Sequence, residues 1–233
     1  MNTPEITKKK IKTILNRRFV YCYDIEYAEG RHYYSVSRRK KNDLVAIMGE
    51  DEAKDFVPDA VTIFVIIKRD GREPVLLLDY EYRYPVGRYL LSPPAGLVDS
   101  KDIQAFSRPE DVIRETTRRE VFEETGLVLD EKCEIKIVSP LLFTGPGMTD
   151  ESNALAAVIA DIGSDDLAGR LSQEAPKVPS ASTASCPSQK KRRLRYSRRQ
   201  KTRETIFSRC TRGARLCTLY RECGNKKKII INS

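Results

Sequence analysis

The spacing of apolar positions changes along this chain, and the changes divide it into elements. Residues 61–68 form an unbroken β-branched run of the kind a buried strand carries. Asp70-Gly71 supplies a turn and residues 74–80 return, so the stretch predicts a hairpin. Ahead of it, 18–27 and 32–38 have strand character and are joined through Ala28-Glu29-Gly30-Arg31, and 43–48 is predicted as another short strand. At 109–125 the spacing becomes helical: Ile113, Thr117 and Val121 recur every four residues and give a stripe that can lie on a sheet. Ser107-Arg108-Pro109-Glu110 has the form of a capping box with proline in the first turn, and Gly126 stands where a left-handed closing residue is wanted. Strand-like stretches follow at 127–140 and 153–161. Strands, helix, strands in that order predict an α/β (α+β) domain with a mixed sheet.

The polar side of the 109–125 helix changes the picture. Glu120, Glu123 and Glu124 stand at i, i+3 and i+4 and share one side. Such faces are usually solvated surface paired with Arg or Lys. Here the helix is bounded at both ends and the glutamates fall beside its apolar stripe, so three like charges meet where only a cation relieves them. Hard oxygen ligands suit Mg²⁺ or Mn²⁺, and magnesium typically bridges a few carboxylates to substrate phosphates. Arg119, with Glu115 and Glu123 one turn away on either side, reads as a residue that holds a carboxylate in place.

Arg119 to Leu127 resembles the second half of the signature of the Nudix hydrolases, G-x5-E-x7-R-E-U-x-E-E-x-G-U, where U is a bulky aliphatic residue. Gly96 is the natural signature glycine, followed by a loop over 97–108 that is longer than the pattern. Counting back from Arg119 puts Asp111 at the first signature glutamate, a structural partner of the arginine in the family, with Glu110 and Glu115 as alternatives. Tyr82-Arg83-Tyr84-Pro85-Val86-Gly87-Arg88-Tyr89 and Pro94-Ala95-Gly96 are similar to segments of the ADP-ribose pyrophosphatase branch, although Ser92-Pro93 replaces a glutamate common just before the latter. Leu142 through Glu151, with Gly145-Pro146-Gly147, is similar to that branch's proline-glycine loop.

The resemblance implies a Nudix-type α/β/α sandwich and Mg-dependent hydrolysis of a nucleoside diphosphate sugar, ADP-ribose first, to AMP and ribose 5-phosphate. It implies metal ligands at Glu120 and Glu124, assisted by Glu123 and the Ala95 carbonyl. Arg83 would meet a substrate phosphate, a guanidinium being a sound bidentate device for one, with Arg88, Gly96 and Gly147 also lining the substrate. The general base falls among Glu123, Glu151 and Glu174. A homodimer is implied, with residues 1–57 as the dimerising strand region and 58–175 as the hydrolase domain. The alternatives are a catalytically weak nucleotide-binding relative and an RNA-associated enzyme.

Composition adds one discontinuity to this picture. The 233 residues carry a formal net charge of +9, but 177–233 holds 17 Lys+Arg against 2 Asp+Glu, leaving 25 basic and 31 acidic residues before it. The region 176–233 opens on a Ser-rich linker, continues in a cationic run at 190–195 and lacks apolar periodicity, which predicts a disordered or irregular basic tail. The abrupt switch after about Glu174, where the branch continues into a strand and a helix, reads as an out-of-register or replaced terminus. A basic arm for nucleic acid is the less favoured reading. Cys186, Cys210, Cys217 and Cys223 lack paired zinc-knuckle spacing. Neither a signal peptide nor a long apolar span is evident, so the expectation is a cytoplasmic chain with reduced thiols and no membrane partner.

Overall fold

The computed structural model describes residues 5–131, 133–164, 221–223 and 226–232. Two sheets organise it. The first is antiparallel, β1 (Ile11–Asn16), β2 (Tyr21–Ala28) and β3 (Arg31–Ser37) in that order. The second is mixed and is built on β4 (Ala60–Arg69), which pairs parallel with β9 (Ser152–Asp161) and antiparallel with β5 (Arg72–Arg83). Helix α1 (Glu50–Lys54) lies in the connection between the sheets.

In β4, Val61, Ile63, Val65 and Ile67 are fully buried on one face, whereas the alternate positions are half-buried. Onto the buried face pack Ile113 and Val121 of α3 (Pro109–Thr125), joined by Val75 and Leu77 of β5 and Ala154, Ala156 and Val158 of β9. The small alanines let the helix approach closely, and burial of these branched side chains contributes roughly 1.5–3 kcal/mol each. Strand β8 (Cys133–Phe143) forms the far edge beyond β9, and its register shifts on either side of Ser139-Pro140, as expected where proline removes a ladder donor. The expected mixed sheet with N-terminal antiparallel strands is therefore present. The second helical layer of a sandwich is not among the described residues.

Two short strands carry the site. β5 runs past the region where it pairs with β4 and forms a hairpin with β6 (Arg88–Ser92), and β7 (Ala95–Leu97) takes its place beside the start of β4, with Gly96 opposite Val61. The first sheet is fastened to the second through the loop before β9. The Val36 N–H donates to the Met148 carbonyl (2.9 Å), and the Arg39 guanidinium pairs with Asp59 (2.7 Å) and reaches Asp150 (3.8 Å). Asp59 in turn accepts from the Ser152 hydroxyl and N–H.

Three expectations need correction. Residues 43–48 are not a strand: the stretch contains two single 3₁₀ turns, Lys41–Asp43 and Val45–Ile47, that seat Leu44 against Ile11, Tyr23 and Ile25. The helix is not capped by Ser107. Proline at the first helical position makes Arg108 the N-cap, one residue too late for a capping box, and the Arg108 side chain instead holds Asp111 bidentately at 2.8 and 3.0 Å. Nor is the end of the tail irregular: β10 (Arg221–Cys223) and β11 (Lys226–Asn232) form a hairpin, and β11 pairs with β5 from Tyr80 to Val75. Three consecutive isoleucines are a strand signal that the dense charge around them obscured. The supposed change of frame, the linker, the cationic run, Glu174 and all the tail cysteines except Cys223 lie outside the described residues.

Candidate active site

Helix α3 ends in an αL glycine, Gly126 at φ 72°, whose N–H donates to the Phe122 carbonyl. Glu120, Glu123 and Glu124 occupy its last two turns, and no basic residue lies in the last turn. The C-terminal end of a helix already carries partial negative charge, so this is an unfavourable place for three carboxylates. The chain has concentrated negative charge there, with Arg119 as the basic residue of the helix that meets it.

Glu120 is buried, with only 8% of its surface exposed. Its carboxylate lies against the backbone of Gly96, so close that a Cβ at that position would overlap it. The next strand residue back, Ala95, donates its N–H to Glu124 Oε2 at 3.1 Å. The two carboxylates thus converge on one short piece of main chain. Burial raises the pKa of Glu120 above the ordinary carboxylate value, helped by the neighbouring charges of Glu124 and Glu123 and opposed by Arg119.

Arg119 is the local counter-charge. It meets Glu120 at 2.7 Å and Glu123 at 3.6 Å, and donates to the Leu97 carbonyl at 3.0 Å. Burial alone would lower its pKa, but the charges of Glu120, Glu123 and Asp102 hold it above the ordinary value. Its remaining partner is Asp102 at 3.5 Å, on the short helix α2 (Ser100–Ala105), a carboxylate that also accepts from the Thr116 hydroxyl. This corrects the expectation that Asp111 or Glu115 supports the arginine: Asp111 is engaged with Arg108, and neither is among the partners of Arg119. The signal lay in the other direction of counting. Asp102 stands six residues after Gly96, where the signature has its acid, and the extra residues fall between Asp102 and Arg119.

The remaining site residues are carried by other elements. Arg83 and Arg88 pair across the β5–β6 hairpin, Arg83 forming an ion pair with Glu81 at 3.0 Å. Gly147 accepts from the Tyr33 hydroxyl, and Glu151 pairs with Arg38 at 3.0 Å, both in the loop fastened to the first sheet. Among the described residues no three His, Cys, Asp or Glu side chains are grouped so as to hold a metal ion. A cation held by Glu120 and Glu124 would have main chain and solvent completing its shell. That donor set fits magnesium, which keeps several waters and is held by one or two carboxylates.

No protein-family model matches the chain. It is 32% identical over 103 residues to a putative Nudix hydrolase 2 of Caenorhabditis elegans, a match covering 44% of this chain and 40% of that protein. It is 35% identical over 104 residues, 45% of this chain and 43% of the relative, to an uncharacterized Nudix hydrolase of Schizosaccharomyces pombe. An ADP-ribose pyrophosphatase of Saccharomyces cerevisiae is 33% identical over 106 residues, 45% and 40% of the two chains. The chain thus spans about two fifths of the length of these curated relatives. In three dimensions it overlaps a crystal structure of an ADP compounds hydrolase with a TM-score of 0.41 at 19% identity, over 69% of this chain and 68% of the other, a likeness too loose to bear on function. Two of these three relatives carry the name Nudix hydrolase.

Proposed function

We propose that this chain is a Nudix-type hydrolase that cleaves the pyrophosphate bond of a nucleoside diphosphate sugar, with ADP-ribose as the first substrate and AMP and ribose 5-phosphate as products. The observation that carries the reading is the seat of Glu120 against Gly96, with Glu124 on the adjoining Ala95 N–H. Glu120 and Glu124 would hold Mg²⁺, or Mn²⁺ in its place, aided by the Ala95 carbonyl. When bound, such an ion supplies charge neutralisation on the pyrophosphate and Lewis acidity toward a water.

The protein's own groups then have distinct tasks. Arg119, clamped by Asp102 and the Leu97 carbonyl, fixes Glu120 in one orientation. Arg83 and Arg88, exposed at the hairpin, supply cations for substrate phosphate. In the reaction water adds to one phosphorus, the bridging P–O bond breaks, and its electron pair leaves on the other phosphate. The water's proton goes to a carboxylate. Glu123 is the preferred base, because it lies in the same helix turn as the ligands and is held by Arg119 only at 3.6 Å, whereas Glu151 lies in the loop before β9 and is paired more closely with Arg38 at 3.0 Å.

The test is a hydrolysis panel of ADP-ribose, other nucleoside diphosphate sugars and dinucleotides, with and without magnesium, using the full chain. Magnesium-dependent formation of AMP and ribose 5-phosphate is expected. A protein that binds magnesium yet cleaves nothing in the panel would overturn the reading.

A further inference from the structure

The β5–β6 hairpin has two unlike faces. In its register Tyr82 lies opposite Tyr89, and Arg83 lies opposite Arg88. Alternate residues of a strand point to opposite sides, so the tyrosines take one face and Glu81, Arg83 and Arg88 take the other. Ring contacts brace the tyrosine face: Tyr89 stacks on Tyr80 at 5.1 Å and meets Tyr82 edge-on at 5.2 Å. The charged face continues the side of β5 that carries Val75 and Leu77, on which α3 packs. It therefore lies on the same side of the sheet as the helix bearing Glu120 and Glu124.

Two arginines directly opposite one another are an unfavourable cross-strand pair. Glu81, two residues before Arg83 on the same face, meets Arg83 Nη2 at 3.0 Å. A guanidinium has five donors, so this contact leaves others for a phosphate. We propose that Glu81 is a positioning residue, which holds the Arg83 guanidinium in one orientation for a substrate phosphate against the like charge of Arg88. This role rests on the assignment of Arg83 to substrate phosphate in the hydrolase reading. In such a role the acid strengthens anion binding, because ordering the arginine outweighs its own repulsion of the phosphate.

Calorimetry of ADP binding to the full chain in magnesium, a titration that needs no turnover, tests this beside the hydrolysis of ADP-ribose. Glu81→Gln should weaken ADP binding about two- to fivefold, the range of an exposed ion pair, and raise KM similarly with kcat unchanged. Glu81→Asp should recover part of the loss. In an Arg83→Ala background, itself about tenfold weaker or more, Glu81→Gln should have no further effect. Glu81 is half-buried, and melting curves of each variant control for folding. Tighter ADP binding in Glu81→Gln would show the acid to be a repelling charge and overturn the proposal. So would an equal loss in the Arg83→Ala background, an Arg83→Ala variant that binds ADP as well as the wild type, or a wild-type chain that binds no ADP. ADP binding that weakens as expected in a chain that hydrolyses no ADP-ribose would support the positioning role and sink the hydrolase reading alone.

Discussion

The carboxyl group of Glu120 occupies the space that a side chain at Gly96 would need. The glycine is not required by its backbone angle, since Gly96 is absent from the positive-φ glycines. It is required by the neighbour alone, and that neighbour is the far end of a flexible side chain that can swing away. Gly96→Ala should therefore displace Glu120 at small cost in stability, about 1 kcal/mol or less, below the usual penalty of an overpacked core. Magnesium affinity and turnover should fall about 10- to 100-fold, the loss expected when a metal ligand is misplaced. Melting curves and magnesium titrations on the same variant check this, and full activity in Gly96→Ala would show that the seat is incidental.

The raised pKa of Glu120 gives a pH dependence with a definite sign. Its folded form takes up a proton more readily than its unfolded form, because burial penalises the charge. The native state therefore binds more protons, and this residue's contribution to stability falls as pH rises from the ordinary glutamate value through the folded one. Metal binding needs the deprotonated carboxylate and moves oppositely: affinity should rise with pH, with its midpoint above the ordinary carboxylate range. Calorimetry with magnesium across that range, beside Glu120→Gln, measures both. A midpoint at the unperturbed glutamate value would contradict the geometry.

The helix was legible because Ile113 and Val121 keep helical spacing and Gly126 ends it, and both features act locally. β4 was legible for the same reason, as a run with no polar break. β1 was not: Ile11–Asn16 has Ile14 exposed beside a bulge, so alternation fails where the register slips. β6 and β7 were concealed because Pro93-Pro94 separates two short, mostly exposed pieces whose strand form comes from pairing with β5 and β4. Of the site, Glu120 and Glu124 could be read from spacing, and Gly96 from the resemblance to the Nudix signature. The partnership of Asp102 with Arg119 could not be read by counting back from the arginine, because it spans an insertion that only the fold closes.

That partnership separates two supports for the same arginine. Asp102→Asn removes the carboxylate behind Arg119, leaving the guanidinium to Glu120 and Glu123 alone. Turnover should fall about tenfold with little change in substrate KM, the range seen when a supporting partner of a ligand is lost. Asp102→Glu should recover part of it. Asp111→Asn should change stability by no more than about 0.5 kcal/mol, as an exposed pair at a helix start warrants, and leave turnover intact. The reverse ranking would restore Asp111 as the functional acid.

Arg39 makes a shielded polar link between the two sheets. Its guanidinium is only 13% exposed and is shared by Asp59 and Asp150, while its carbonyl accepts from the buried Tyr23 hydroxyl. Arg39→Met would keep the stem and remove the charge, leaving two shielded carboxylates without it, at a cost of about 2–3 kcal/mol after allowing for residual solvent access. The damage should extend to the site, because the Asp59 carbonyl holds the Val98 N–H at 3.0 Å, two residues from Gly96. Urea unfolding should thus show a lower midpoint at unchanged slope. Magnesium affinity of the still-folded variant should also be reduced. A destabilised variant with wild-type magnesium affinity would confine Arg39 to fastening the sheets.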